Sequence, residues 1–152
     1  MCAACGGQCC RGFPGLDGPE RFLAAPDPAG ALGRALASGD WVLLTHVGVP
    51  WVNGVEPPEE DKRRVLRYPR PATLDERASG GVAGDGLSTS PCVFLGDAGC
   101  TLAFEARPRM CQSLEPSADG ECPCEWDRRA AALAWLPWQG LIAEALARLA
   151  AP

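Results

Sequence analysis

Nine cysteines and a single histidine are spread unevenly along this chain of 152 residues. Cys2, Cys5, Cys9 and Cys10 crowd into the first ten positions as Cys-x2-Cys-x3-Cys-Cys, with glycine between them. Cys92, Cys100, Cys111, Cys122 and Cys124 form a second block more than eighty positions later. Thiolates are soft, strong ligands for zinc and iron, and a Cys-x2-Cys turn brings two sulfurs to one ion. Adjacent Cys9 and Cys10 do not easily face the same ion, so they serve two nearby centres, or one of them stands outside the coordination sphere. A shared centre ties residues 1–12 to the 92–124 segment and closes a long loop that little else in the sequence would hold.

Three plainer readings compete. A disulfide framework needs an oxidising compartment and usually an even count. Buried thiols acting as small hydrophobes do not account for four cysteines in a polar glycine loop. A redox dithiol at Cys2-Ala3-Ala4-Cys5 lacks the preceding strand and following helix of a thioredoxin-like site. Metal coordination is the expectation.

Lys and Arg number 14 against 19 Asp and Glu, a net charge of −5 and a pI near 4.9, which argues against a nucleic-acid partner. With 47% hydrophobic and 22% charged residues, the chain has the means for one core, and its length suits a single domain over residues 1–152. Gly 18 and Pro 15 make much of it loop. The start at Met1-Cys2-Ala3-Ala4-Cys5 has neither a basic nor an apolar leader region, so the expected compartment is cytoplasmic. The apolar stretches 41–52 and 130–143 are too short to span a bilayer, and no membrane association is expected.

The expected fold class is α+β: a small, loop-rich domain with short strands and a C-terminal helical segment. Residues 1–12 read as a loop. Asp27-Pro28 supplies N-cap and first-turn residues for a helix that ends at Gly39. Trp41–Val47 reads as a strand with a possible continuation in Trp51-Val52, and Pro57–Arg64 as either a short exposed helix or a solvated loop. Val65–Tyr68 reads as a second strand ended by Pro69 and Pro71. Ala78–Ser90 has no periodicity. Cys92–Leu95 and Thr101-Leu102 read as extended pieces joined across Gly96–Gly99, and Arg107-Pro108 opens a helix with Pro108 at its first position. The tail, 127–150, is helical, with Pro137 as a kink or as the start of a second helix.

Cys2-Ala3-Ala4-Cys5-Gly6-Gly7-Gln8-Cys9-Cys10, together with Cys92-Val93-Phe94-Leu95, Gly99-Cys100-Thr101-Leu102, Glu105-Ala106-Arg107-Pro108 and Cys111, resembles the YkgJ-like cysteine-cluster family, described as a zinc- or iron-chelating domain. The likeness covers residues 1–12 and 92–126 and leaves the middle unmatched. It implies eight metal ligands, Cys2, Cys5, Cys9, Cys10, Cys92, Cys100, Cys111 and Cys122, with Cys124 a spare or a replacement for Cys122. Flagellin lysine methylases with a similar motif are associated with an iron–sulfur cluster. This chain is much shorter and has no glycine-rich nucleotide loop, so methyl transfer is not carried over.

The single Cys-x2-Cys knuckle followed by isolated cysteines suits an all-thiolate iron–sulfur cluster, 4Fe–4S, better than a structural zinc site, with zinc (Zn) as the alternative. His46, inside an apolar strand, reads as a structural histidine. Arg107 and Arg109 are candidate cofactor-binding residues, placed to offset thiolate charge and donate to sulfur. The five tryptophans read mainly as core. No Ser/His/Asp set, paired catalytic carboxylates or phosphate loop points to an enzyme. The expected function is metal binding with a redox or cluster-dependent role; the alternative is a zinc-stapled interaction module whose tail helix docks a protein partner.

Overall fold

The computed structural model describes residues 7–84, 90–114 and 126–151, with the backbone alone at 8 and 9. Cys2, Cys5, Cys122 and Cys124 lie outside the described residues, as does the Cys9 side chain. The domain is α+β, with two two-stranded antiparallel sheets among the described residues.

Residues 8–12 depart from the expected loop and form one helical turn, α1 (Gln8–Gly12). Gly7 precedes it at φ 74, a conformation glycine adopts without a steric penalty. A second short helix, α2 (Glu20–Leu23), buries Phe22. In α3 (Pro28–Ala37) the Asp27 side chain accepts the Gly30 N–H at 3.1 Å and Gly39 follows the end at φ 76, both as the local sequence predicts.

Strand β1 (Trp41–Val47) matches its expected bounds. It does not continue through Trp51: Val52 instead pairs with Val55 around Asn53-Gly54, both at positive φ, the turn chemistry of a tight hairpin. Residues 57–64 take the loop alternative, with Lys62 paired to Glu56 and Glu59. Strand β2 (Val65–Pro71) pairs with β1 and runs through both prolines expected to end it. Arg67 exchanges hydrogen bonds with the Gln139 side chain at 2.9 and 2.8 Å, so 67, and with it 69 and 71, turn their main-chain groups away from β1. Proline is tolerated there because no ladder bond is lost.

Helix α4 (Leu74–Ser79) falls where no element is expected. Its signal is a capping box: Thr73 accepts the Glu76 N–H while Glu76 accepts the Thr73 N–H at 2.8 Å. Glu76 also receives both ends of the Arg70 guanidinium, at 2.8 and 2.6 Å. Arg70 is 1% exposed, and its Nη1 further donates to the Pro71 carbonyl at 2.7 Å. Burial raises the Glu76 carboxyl, but the bonds from Arg70 and Thr73 outweigh it and hold it below its ordinary 4.5.

The expected hairpin is present with shorter strands, β3 (Leu95–Gly96) and β4 (Gly99–Cys100). A 3-10 turn at Phe104–Ala106 leads to α5 (Arg109–Ser113), where Pro108 is the N-cap rather than the first helical residue. The tail divides at Pro137 into α6 (Arg128–Trp135), a 3-10 turn and α7 (Gln139–Ala150). One core collects Leu32 and Leu36 of α3, Leu43, Leu44, Leu66 and Tyr68 of the β1–β2 pair, and Trp135, Ile142 and Ala145 of the tail. The apolar face of α7 is thus spent inside the chain. Of the tryptophans, Trp41 and Trp135 are core, whereas Trp51 and Trp138 are exposed. No helix among the described residues is long and apolar enough to cross a membrane.

Glu76→Gln retains the cap but removes the charge facing Arg70, and stability at pH 7 is expected to fall by about 2–3 kcal/mol in urea denaturation. A depressed carboxylate stabilises fully above its unfolded pKa and loses that contribution as pH falls through the folded value. The gap between variant and parent therefore closes in acid; a pH-independent gap would contradict the charge assignment.

Candidate metal centre

Four described cysteines arrive from four separate pieces of chain: Cys10 from α1, Cys92 from the segment before β3, Cys100 from β4 and Cys111 from α5. Cys92 is fixed first. Its N–H donates to the Cys10 carbonyl at 2.9 Å, and its neighbours pair with the end of β2, Val93 N–H to Ala72 at 3.0 Å and Leu74 N–H to Pro91 at 2.9 Å. Its main chain is thereby held between α1 and the extension of β2.

Cys10 and Cys92 are buried, each 4% exposed, and Cys100 and Cys111 are half-buried. A hydrogen bond from the Cys10 thiol is the largest influence on Cys92 and lowers its pKa. Burial opposes it, the Phe94 N–H adds to it, and the charges of Cys111 and Cys100 oppose it in turn. The net direction is downward, toward thiolate, the form that binds metal.

Close approach of glycines sets the remaining segments. A Cβ on Gly7 would stand 2.4 Å from Leu95 Cδ1, so the turn before α1 lies directly on β3. A Cβ on Gly15 would stand 2.3 Å from Cys111 Sγ and 3.3 Å from its backbone nitrogen. Next to Gly15, Leu16 and Met110 are bonded both ways, Met110 N–H to the Leu16 carbonyl at 3.0 Å and Leu16 N–H to the Met110 sulfur at 3.5 Å. The stretch from α1 to Leu16 thus carries Cys10 at its start and supports Cys111 at its end.

Cys10, Cys100 and Cys111 each act on the charge of Cys92. Among the described residues, no three His, Cys, Asp or Glu side chains are gathered closely enough to hold a metal ion. His46 lies elsewhere, lining a hollow of 410 Å³ with Trp51, Lys62 and Arg129. Its pKa is lowered by burial first, then by Arg128 and Arg129, against a smaller opposing effect of Asp127.

Arg107 and Arg109 line a cleft of 490 Å³ beside α5, together with Asp17, Glu20, Arg21 and Glu105. Arg107 donates from Nε to the Leu102 carbonyl at 3.2 Å and lies over the Phe104 ring at 5.8 Å. Arg109 reaches Glu20 at 2.9 Å and stacks over Trp126 at 4.2 Å. None of these contacts is to a cysteine, and no cysteine is among the described residues that line this cleft.

The residue that sequence reasoning missed is Asp17. It is 3% exposed; its carboxylate accepts the N–H groups of Gly18 and Arg109, each at 3.0 Å, and the Arg21 guanidinium. Burial is the largest effect and lifts its pKa above the ordinary 3.8, even against those donors. The available signal was local: Asp17 before Gly18, with Arg21 at the helical i+4 spacing.

No protein-family model, curated protein or solved structure matches the chain.

Gly15→Ala should push on both Cys111 Sγ and its backbone nitrogen and cost about 1–3 kcal/mol of stability, as overpacking does. Thermal unfolding checks this, and faster labelling of Cys111 by a thiol reagent should accompany it. An unchanged melting temperature would show that the site yields without cost.

Proposed function

We propose that the chain is a metal-binding cysteine-cluster protein whose thiolates hold an iron–sulfur cluster, 4Fe–4S by preference. The observation that supports this reading is that Cys10, Cys100 and Cys111, carried by three other chain segments, all influence the charge of Cys92, whose thiol is drawn toward thiolate. The YkgJ-like resemblance adds Cys2, Cys5, Cys9 and Cys122, the remainder of the set it implies. The all-sulfur donor set and the separate position of His46 favour iron–sulfur ligation over a mixed Cys/His zinc site. A bound cluster would supply one-electron chemistry or a charge centre; the chain's own part is to exclude water at Cys10 and Cys92, while Arg107 and Arg109 are the basic residues proposed to offset thiolate charge.

The second reading is a zinc staple. It draws on the short elements the cysteines connect, namely a five-residue α1, two-residue β3 and β4, and a five-residue α5. Such pieces bury little apolar surface of their own, and metal binding couples directly to their folding.

Elemental analysis of anaerobically purified full-length protein tests both. Iron with acid-labile sulfide in comparable amounts is the expected result; zinc without sulfide selects the staple, and no metal overturns both. Cys100→Ser and Cys5→Ser should each lower metal content and melting temperature, and Cys124→Ser should do so less. Full metal retention in the first two would remove them from the ligand set.

A further inference from the structure

The hollow of 410 Å³ at the end of β1 plays no part in the metal-binding reading, and no cysteine is among the described residues that line it. Its size and composition are those of a small-molecule site. Val47, Pro50, Trp51 and Pro57 supply apolar wall, and the polar groups are few. Two sets of hydrogen bonds hold its rims. The Gly48 N–H donates to the Arg64 carbonyl at 2.8 Å and the Val49 N–H to the Asp61 carbonyl at 2.9 Å, which ties the chain after β1 to the loop before β2. Gly48 lies at φ 85, and a Cβ there would stand 2.9 Å from the Lys62 carbonyl oxygen. On the other side, Arg129 Nη2 donates to the Trp51 carbonyl at 2.9 Å and joins the first turn of α6 to the rim. The main chain thus shapes the hollow in advance, and little ordering is left to oppose binding.

Two groups in this wall are open. Trp51 is 52% exposed, a large apolar side chain facing water inside a concavity. Arg129 has no carboxylate partner among the described residues; its one hydrogen bond is to the Trp51 carbonyl. Lys62, by contrast, is held by Glu56 and Glu59, and these acids disfavour a second negative charge on that side. One open cation beside one open ring selects a ligand with one anionic group and one flat apolar body.

We propose that this hollow binds a small aromatic monocarboxylate, its ring against Trp51 and its carboxylate on Arg129. The proposal goes beyond the metal-binding reading and does not rest on it. The planar guanidinium matches a carboxylate through charge-assisted hydrogen bonds, and the indole stacks on a flat ring better than on a saturated one. His46, which lines the same hollow, has no hydrogen-bond partner among the described residues. Burial, Arg128 and Arg129 hold its pKa below the ordinary 6.5 against Asp127, so at neutral pH the imidazole keeps one N–H to offer.

Full-length protein as purified is titrated by calorimetry with β-naphthoate, with its neutral amide and with its fully saturated counterpart. The acid should bind at one site with a Kd of about a millimolar or tighter, and the amide and the saturated acid should each bind about tenfold more weakly. His46 is the only histidine in the chain, so its imidazole NMR signals report on the hollow and should shift along the same binding curve. Absence of binding, equal affinity for the amide or the saturated acid, or binding that leaves His46 unmoved overturns the proposal, and all three outcomes are read on the wild-type chain. Arg129→Gln should reduce the acid to the affinity of the amide while leaving the amide unchanged, and Trp51→Ala should weaken both; each replaces an exposed residue. None of these results depends on metal content, so failure here leaves the metal-binding reading untouched.

Discussion

Asp17 is the residue on which the arrangement depends. Its carboxylate receives Gly18, Arg109 and Arg21, while its own N–H donates to the Pro69 carbonyl at 3.3 Å and its carbonyl accepts Trp135 Nε1 at 2.9 Å. A single residue thereby joins the segment after α1 to β2, α5 and α6. A buried carboxylate is tolerated only while its donors are in place, because an unanswered charge in an apolar surrounding is costly. Arg21, which answers it, also donates to the Ala106 carbonyl at 2.8 Å and lies over Trp41 at 5.0 Å. The start of α5, the turn before it and the hydrophobic core therefore share one polar anchor, and disturbance of either side is felt by the other.

The thiols sit where regular structure is sparse. Around them, hydrogen bonds between short segments do what long helices and wide sheets do in larger domains: Cys92 is held by α1 and by the strand extension, Cys100 by a two-residue ladder, Cys111 by the Leu16–Met110 exchange. Several such bonds, each modest on its own, fix cysteines that lie far apart in sequence. Bringing positions near 10 and 92 together has an entropic cost that grows only slowly with loop length, and the β1–β2 pair and α3 meet most of it by folding the intervening chain.

Local chemistry was legible and long-range chemistry was not. The Asp27 cap, the Gly39 stop, the strand from Trp41 to Val47 and the break at Pro137 each follow from residues within a turn of one another. Helix α4 was equally local, yet its Thr73–Glu76 box was hidden by the Gly- and Ser-rich composition that follows. The passage of β2 through Pro69 and Pro71 depends on which side of the strand faces β1, a matter of register that no window of sequence reveals. The burial of Arg70 depends on a carboxylate six positions on and on Phe13, whose ring lies 5.5 Å away. The cysteine clustering was visible in the sequence, but that the main chain of Cys92 would bond to that of Cys10 is a product of the fold.

The outward side of β2 has one further effect. Arg67 gives both main-chain groups to Gln139, the Pro69 carbonyl takes Asp17, the Pro71 carbonyl takes Arg70, and neither proline has an N–H to offer. An exposed strand edge ordinarily recruits other strands, from a neighbouring molecule or from a misfolded copy. Here that edge is saturated from 67 to 71, so the sheet cannot grow in that direction, and the two residues that look like interruptions in the sequence protect the chain from joining its own kind.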